Sequence, residues 1–244
     1  MDDALPILEY LPNSFREPGE QEYINFLWDA FASNYENEKY QFAMLPYHML
    51  YMSFVYFSVW QIKLMRSRDF GHATIFIPEK ERSILQATSP FTFSVVNERS
   101  IFRFLKLIGC DDQDMGSFAS LVKVRNDLAH SNGLINCKDQ TAADRRIADV
   151  MRQVRAIQSH MTPLLHECLS QFLVESCAEE DSMQYDNPED QIRELLVHKH
   201  YFSLKDIEAC RSFDIQSLAA QPRFEAMQAL FDEFVSLYPA ETVE

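Results

Sequence analysis

The chain of 244 residues is long enough to bury roughly 70–75% of its unfolded surface without a disulfide or metal staple. Its 47% apolar and 24% charged residues exclude a mostly disordered protein, and its net charge of −15 argues against a non-specific coat for nucleic acid. Only 5 glycines stand against 19 phenylalanines; hairpins, dinucleotide-binding turns and phosphate loops all need glycine, so an all-α fold is expected.

In chain order, residues 5–18 read as an irregular opening with three prolines. Residues 20–35 follow as an amphipathic helix, with Tyr23, Leu27, Ala30 and Phe31 at helical spacing. Residues 41–66 form a long aromatic helix, and from Tyr40 to Ile62 no side chain is formally charged. That length could span a bilayer. Pro46, His48, two Gln and several Tyr within it, with no strong basic cluster after it, fit instead a helix buried on all sides in a bundle. Residues 67–90 are a polar connection in which 73–77 could be a short strand, and 91–107 start extended and turn helical near Glu98. Asp111 to Asp114 offer N-cap chemistry for a helix from about Gly116 toward His130, which Ser131-Asn132-Gly133 stop. Residues 139–176 form one long helix whose buried side carries Ile147, Val150, Val154, Ile157, Met161, Leu164 and Leu165. The acidic stretch 178–188 reads as a linker closed by Asn187-Pro188, followed by short helices at 189–202, 203–211 and 221–237. The expected organisation is a bundle over 1–178 and a smaller helical region over 186–240.

Charge is uneven along the chain. Residues 1–99 are net −5, residues 100–170 net +1 and residues 171–244 net −11, so the middle third alone does not repel an anionic ligand. Five cysteines (Cys110, Cys137, Cys168, Cys177 and Cys210) form no C-x-x-C pair. Together with the acidic start Met1-Asp2-Asp3, they lead us to expect a reducing cytoplasm.

No metal site is expected from spacing. His198-Lys199-His200 and His166-Glu167-Cys168 lack a partner pair at structural-zinc spacing, and ligands two apart on a helix point away from each other. Nucleophile motifs such as G-x-S-x-G are absent, and no cofactor is implied. What remains is Arg125-Asn126-Asp127-Leu128-Ala129-His130. Arg with His after four to six intervening residues occurs five times in the chain, so the spacing alone decides nothing. Residues five apart on a helix sit about 140° from each other, so Arg125 and His130 converge only where the helix ends, and Ser131-Asn132-Gly133 supply that end. Arg155 and His160, by contrast, lie mid-helix. Asn126 and His130, four apart, share a face, which gathers a guanidinium, a carboxamide and an imidazole at one terminus. Such a set suits phosphate binding beside a group that titrates near neutral pH. The plainer alternative pairs Arg125 with Asp127 or a neighbouring acid and leaves His130 as a helix cap.

This R-N-D-L-A-H segment ends an apolar helix, preceded by a long aromatic helix and followed by another long one. In that setting it resembles the HEPN superfamily over roughly residues 20–175. The resemblance implies an all-α bundle with a metal-independent ribonuclease site, as in toxins, phage-defence anticodon nucleases and CRISPR-associated effectors. Arg125 and His130 would be the catalytic residues and Asn126 a polar helper. It also implies a homodimer facing two motifs across one composite site, an RNA substrate such as tRNA, and a regulatory or antitoxin-like partner. Where the branch paired with a nucleotidyltransferase antitoxin has Tyr two residues after the His, this chain has Asn132, so modification there is not implied. Lys123, Arg145 and Arg152 could steer RNA, although a solvated helix face explains them equally well. The rival reading is a HEPN-like module that dimerises and binds RNA or a protein without cleaving.

Overall fold

The computed structural model describes residues 1–75, 78–130 and 133–239, with the backbone alone at Lys80. Among them the chain is all-α, and the only β-type pairing is a single bridge between Pro12 and Ser203. Helix α1 (Pro18–Glu36) starts with Pro18 in its first turn and a reciprocal cap between Glu17 and Glu20. Helix α2 (Tyr40–Met65) is the centre of the molecule. From Tyr47 to Ile62 nearly every side chain is buried, which is why no polar face had to be kept and the sequence reads as apolar all round. It carries Pro46 in its second turn and packs most heavily against α1.

A short helix α3 (Ser67–Ala73) leads into 3₁₀ turns at Glu79–Gln86 and Pro90–Val95. The possible strand over 73–77 does not form where it is described: Ala73 ends α3 and residues 74–75 turn, while 76–77 lie outside the described residues. The physical reason is local. Phe70, one turn earlier, is fully buried and stacks on Phe104, which holds this part of the chain in a helix up to Ala73. Residues 90–108 are likewise not extended at their start. They form 3₁₀ turns around a four-residue helix α4 (Glu98–Ile101) and bury Phe93, Ile101, Phe102, Phe104 and Leu105.

Helix α5 (Asp112–Ala129) begins four residues before the expected Gly116. Asp111 accepts from the backbone N–H of Gln113 and Asp114, and the Asp114 carboxylate accepts from Asp111 N–H in return. Helix α6 (Gln140–Ser176) is capped by Asp139 and buries all seven residues expected on its inner side.

Residues 178–187 contain no regular helix. Beyond them come α7 (Pro188–Ile192), a π-helical turn over Arg193–His198, α8 (Leu204–Arg211), a 3₁₀ turn at Ile215–Leu218 and α9 (Phe224–Leu237). These elements share the core of the bundle. Fully buried Asp206 caps α8 through Ser203 and accepts from Gln61 of α2 at 3.0 Å and Gln158 of α6 at 2.7 Å. Tyr201, in the left-handed region at φ 55°, donates its hydroxyl to Glu20 of α1.

Candidate functional site at the end of helix α5

Arg125 lies one turn before the end of α5, half-buried, and its Nη2 ion-pairs at close range with Oε1 of Glu98, the first residue of α4. The other oxygen of Glu98 is 3.1 Å from Nε2 of His48, a buried imidazole on α2. One carboxylate thus binds two cationic-type groups from two other helices. Burial pushes the Glu98 carboxyl up, but the hydrogen bond and charge of His48, together with Arg125, outweigh it and hold the group below the usual carboxylate range. Asn97 caps α4 by accepting from Arg99 N–H at 3.0 Å, which fixes Glu98 at the helix start.

An open cleft of about 410 Å³ lies against this pair, lined by Asn97, Glu98, Arg99, Val122, Arg125 and Asn126. Two guanidiniums and two carboxamides against one carboxylate make its wall net positive in a protein of net charge −15. Glu98 also borders a larger, mainly apolar cavity of about 640 Å³, together with Tyr23, Met52, Tyr56 and Phe91.

His130 is the C-terminal cap of α5. Its N–H donates to Asn126 O at 3.0 Å, its backbone is extended at ψ 142°, and its side chain is exposed. The helix therefore ends where the sequence places the end. Gly133 adopts φ 74° three residues later; Ser131 and Asn132 lie outside the described residues. Among the described residues no hydrogen bond or ion pair joins Arg125 to His130, and the acid that Arg125 meets is Glu98. No protein-family model, no curated protein and no solved structure matches this chain.

Of the residues suggested for steering RNA, Lys123, Arg145 and Arg152 are all exposed and none lines a cleft beside Arg125; Arg152 is paired with Asp149 at 2.9 Å. The basic residue that does come close is Arg146, which lines a small cleft with His48, Arg125 and Asp149. His48 and Glu98 were not singled out as site residues from the sequence. A signal existed for the first: His48 is the one imidazole in the uncharged stretch 40–62, where a polar ring needs a partner.

The histidines of the two close ligand pairs have other partners. His198 Nδ1 meets Ser14, and His166 Nε2 meets the Ala209 carbonyl at 2.9 Å. Sequence reasoning missed a third set, because Cys110, Asp114 and His160 come from two elements and approach only in the fold.

Proposed function

We propose that the chain is a metal-independent endoribonuclease of the HEPN type, acting in the cytoplasm in a toxin-like or phage-defence role. The observation that carries this reading is the net-positive cleft bordered by Arg125, Asn126 and Arg99, with His130 one turn further along the same helix. RNA brings its own nucleophile, the 2′-OH, so no metal is required. Arg125 holds the scissile phosphate and stabilises the charge that builds on it. His130 transfers the proton, and Asn126 orients. The 2′-oxygen bonds to phosphorus as the 5′-oxygen departs with a proton, leaving a 2′,3′-cyclic phosphate and a 5′-hydroxyl. Glu98 keeps the Arg125 guanidinium pre-oriented on its inner edge.

A homodimer suits this reading. The loop after His130 exposes Leu134 and Ile135 at 64% and 63%, and Gln41 ties it to α2 by accepting from Asn136 N–H. Phe42, the neighbour of Gln41, is 62% exposed. An apolar surface thus borders the candidate site where a second copy would bring the second motif.

The test is cleavage of RNA, tRNA included, in EDTA. Arg125→Ala and His130→Ala should each lose roughly 10²–10⁴ in rate, with Asn126→Ala losing less and DNA untouched. Undiminished cleavage in the His130 variant, or equal activity on DNA, would overturn the assignment. One observation favours the non-catalytic module instead: Arg125 is already engaged by Glu98. RNA binding without cleavage, lost in Arg125→Ala, would select that reading.

A further inference from the structure

We propose that Cys110, Asp114 and His160 form a binding site for a zinc-class divalent cation that fastens the start of α5 to the middle of α6. Three features of the chain bring these ligands together. Gly109 adopts φ 87°, a left-handed conformation natural to glycine, and so turns the chain at the end of the 3₁₀ turn Phe102–Ile108. That turn lies against His160; a Cβ at Gly109 would sit 3.9 Å from the His160 Nδ1. Asp114 is held by its own helix cap, its Oδ2 accepting from Asp111 N–H at 2.9 Å, which is the kind of outer contact that orients a ligating carboxylate.

The distances suit zinc. His160 Nε2 lies 3.4 Å from Asp114 Oδ2, and the three ligand atoms lie within 4.8 Å of one another. Zinc bond lengths of about 2.0–2.3 Å set the edges of a ligand tetrahedron at roughly 3.3–3.6 Å. The His–Asp edge is therefore in place, and the Cys110 thiol lies within 4.8 Å of both other ligand atoms. Thiolate, imidazole and carboxylate are together a donor set that zinc prefers to magnesium or calcium, and the two anionic ligands neutralise the ion. Cys110 is buried, whereas the Asp114 and His160 side chains are 28% and 34% exposed. The ion thus has a path in, and a water can take the fourth position. Asp114 precedes Arg125 by eleven residues of helix, about 16 Å, so this site is separate from the Arg125 cleft.

The metal-free full chain should be titrated with cobalt(II). One equivalent is expected to give tetrahedral visible bands and a thiolate-to-cobalt charge-transfer band, both bleached by one equivalent of zinc. Cys110→Ser should lose the charge-transfer band, while Cys137→Ser keeps it. His160→Gln, which touches a partly exposed residue, should weaken zinc binding by at least roughly ten- to a hundredfold. Zinc should raise the melting temperature of the parent chain and not of His160→Gln. Absence of any charge-transfer band at stoichiometric cobalt, or a band that survives Cys110→Ser, would overturn the site and leave a hydrogen-bonded polar cluster. Neither result depends on whether the chain cleaves RNA.

Discussion

Arg125 has five N–H donors in a planar fork, and Glu98 takes one edge of it. Among the described residues Glu98 is the acid Arg125 pairs with, and on the proposed reading its other N–H groups serve a phosphate in the cleft, so that one cation has two partners. A lysine at this position has three donors on one nitrogen but lacks the planar fork that binds a phosphate in bidentate fashion. If the proposed RNA site is right, Arg125→Lys is expected to stay folded yet bind RNA more weakly than the parent chain, read by filter binding beside a thermal melt. His200 makes a different kind of prediction. It is buried, its Nδ1 has no hydrogen-bond partner among the described residues, and it borders a cleft with Cys168, Glu175 and Lys199. Burial, and then the Lys199 charge, push its pKa down from 6.5 to about 4. A depressed folded value means that the unfolded chain takes up the proton first as pH falls. The stability His200 contributes is complete above pH 6.5 and drains away toward pH 4, by about 2 kcal/mol at pH 5. In His200→Gln that slope should disappear from urea midpoints measured at pH 7 and pH 5; an unchanged slope would show that the ring is reached by water.

Among the elements, α8 depends on a carboxylate that it shares with two others. Burial pushes the Asp206 carboxyl up, opposed by hydrogen bonds from Ser203, Gln158 and Gln61. Asp206→Ala would strand both glutamines and the first turn of α8, at a cost of about 2–4 kcal/mol, whereas Asp206→Asn keeps one acceptor and should lose less. Urea unfolding of the two variants checks the order. How legible each element was follows from its surroundings. Helices α2 and α6 were readable to within a residue or so, since uncharged or strictly periodic runs of that length have few other solutions. The stretch 67–108 was not: it is built from short turns whose shape is set by where Phe70, Phe93 and Phe104 find room. The candidate site divides the same way. Arg125, Asn126 and His130 share one helix end, which spacing can show. Glu98 reaches Arg125 from 27 residues upstream, and His48 reaches Glu98 from 50 further up, which only the fold can show.

For the whole molecule, the acidic final third is joined to the beginning of the chain. Asn13 N–H donates to the Phe202 carbonyl at 2.9 Å, Pro12 pairs with Ser203, Tyr201 reaches Glu20, and Asp206 reaches Gln61. The arrangement has a consequence for how the protein is made. The apolar helix that becomes its centre is synthesised early, yet Asp206, which accepts from its Gln61, arrives 145 positions later. At about 5–20 residues per second a ribosome needs roughly 7–30 s to cover that interval. Throughout it, the newborn chain carries a stretch long and apolar enough to cross a membrane with only part of its final cover: α1 is already made, whereas the sides given by α6 and by Asp206 follow later. Completion of the chain ends that exposure, because the finished fold buries most of the segment.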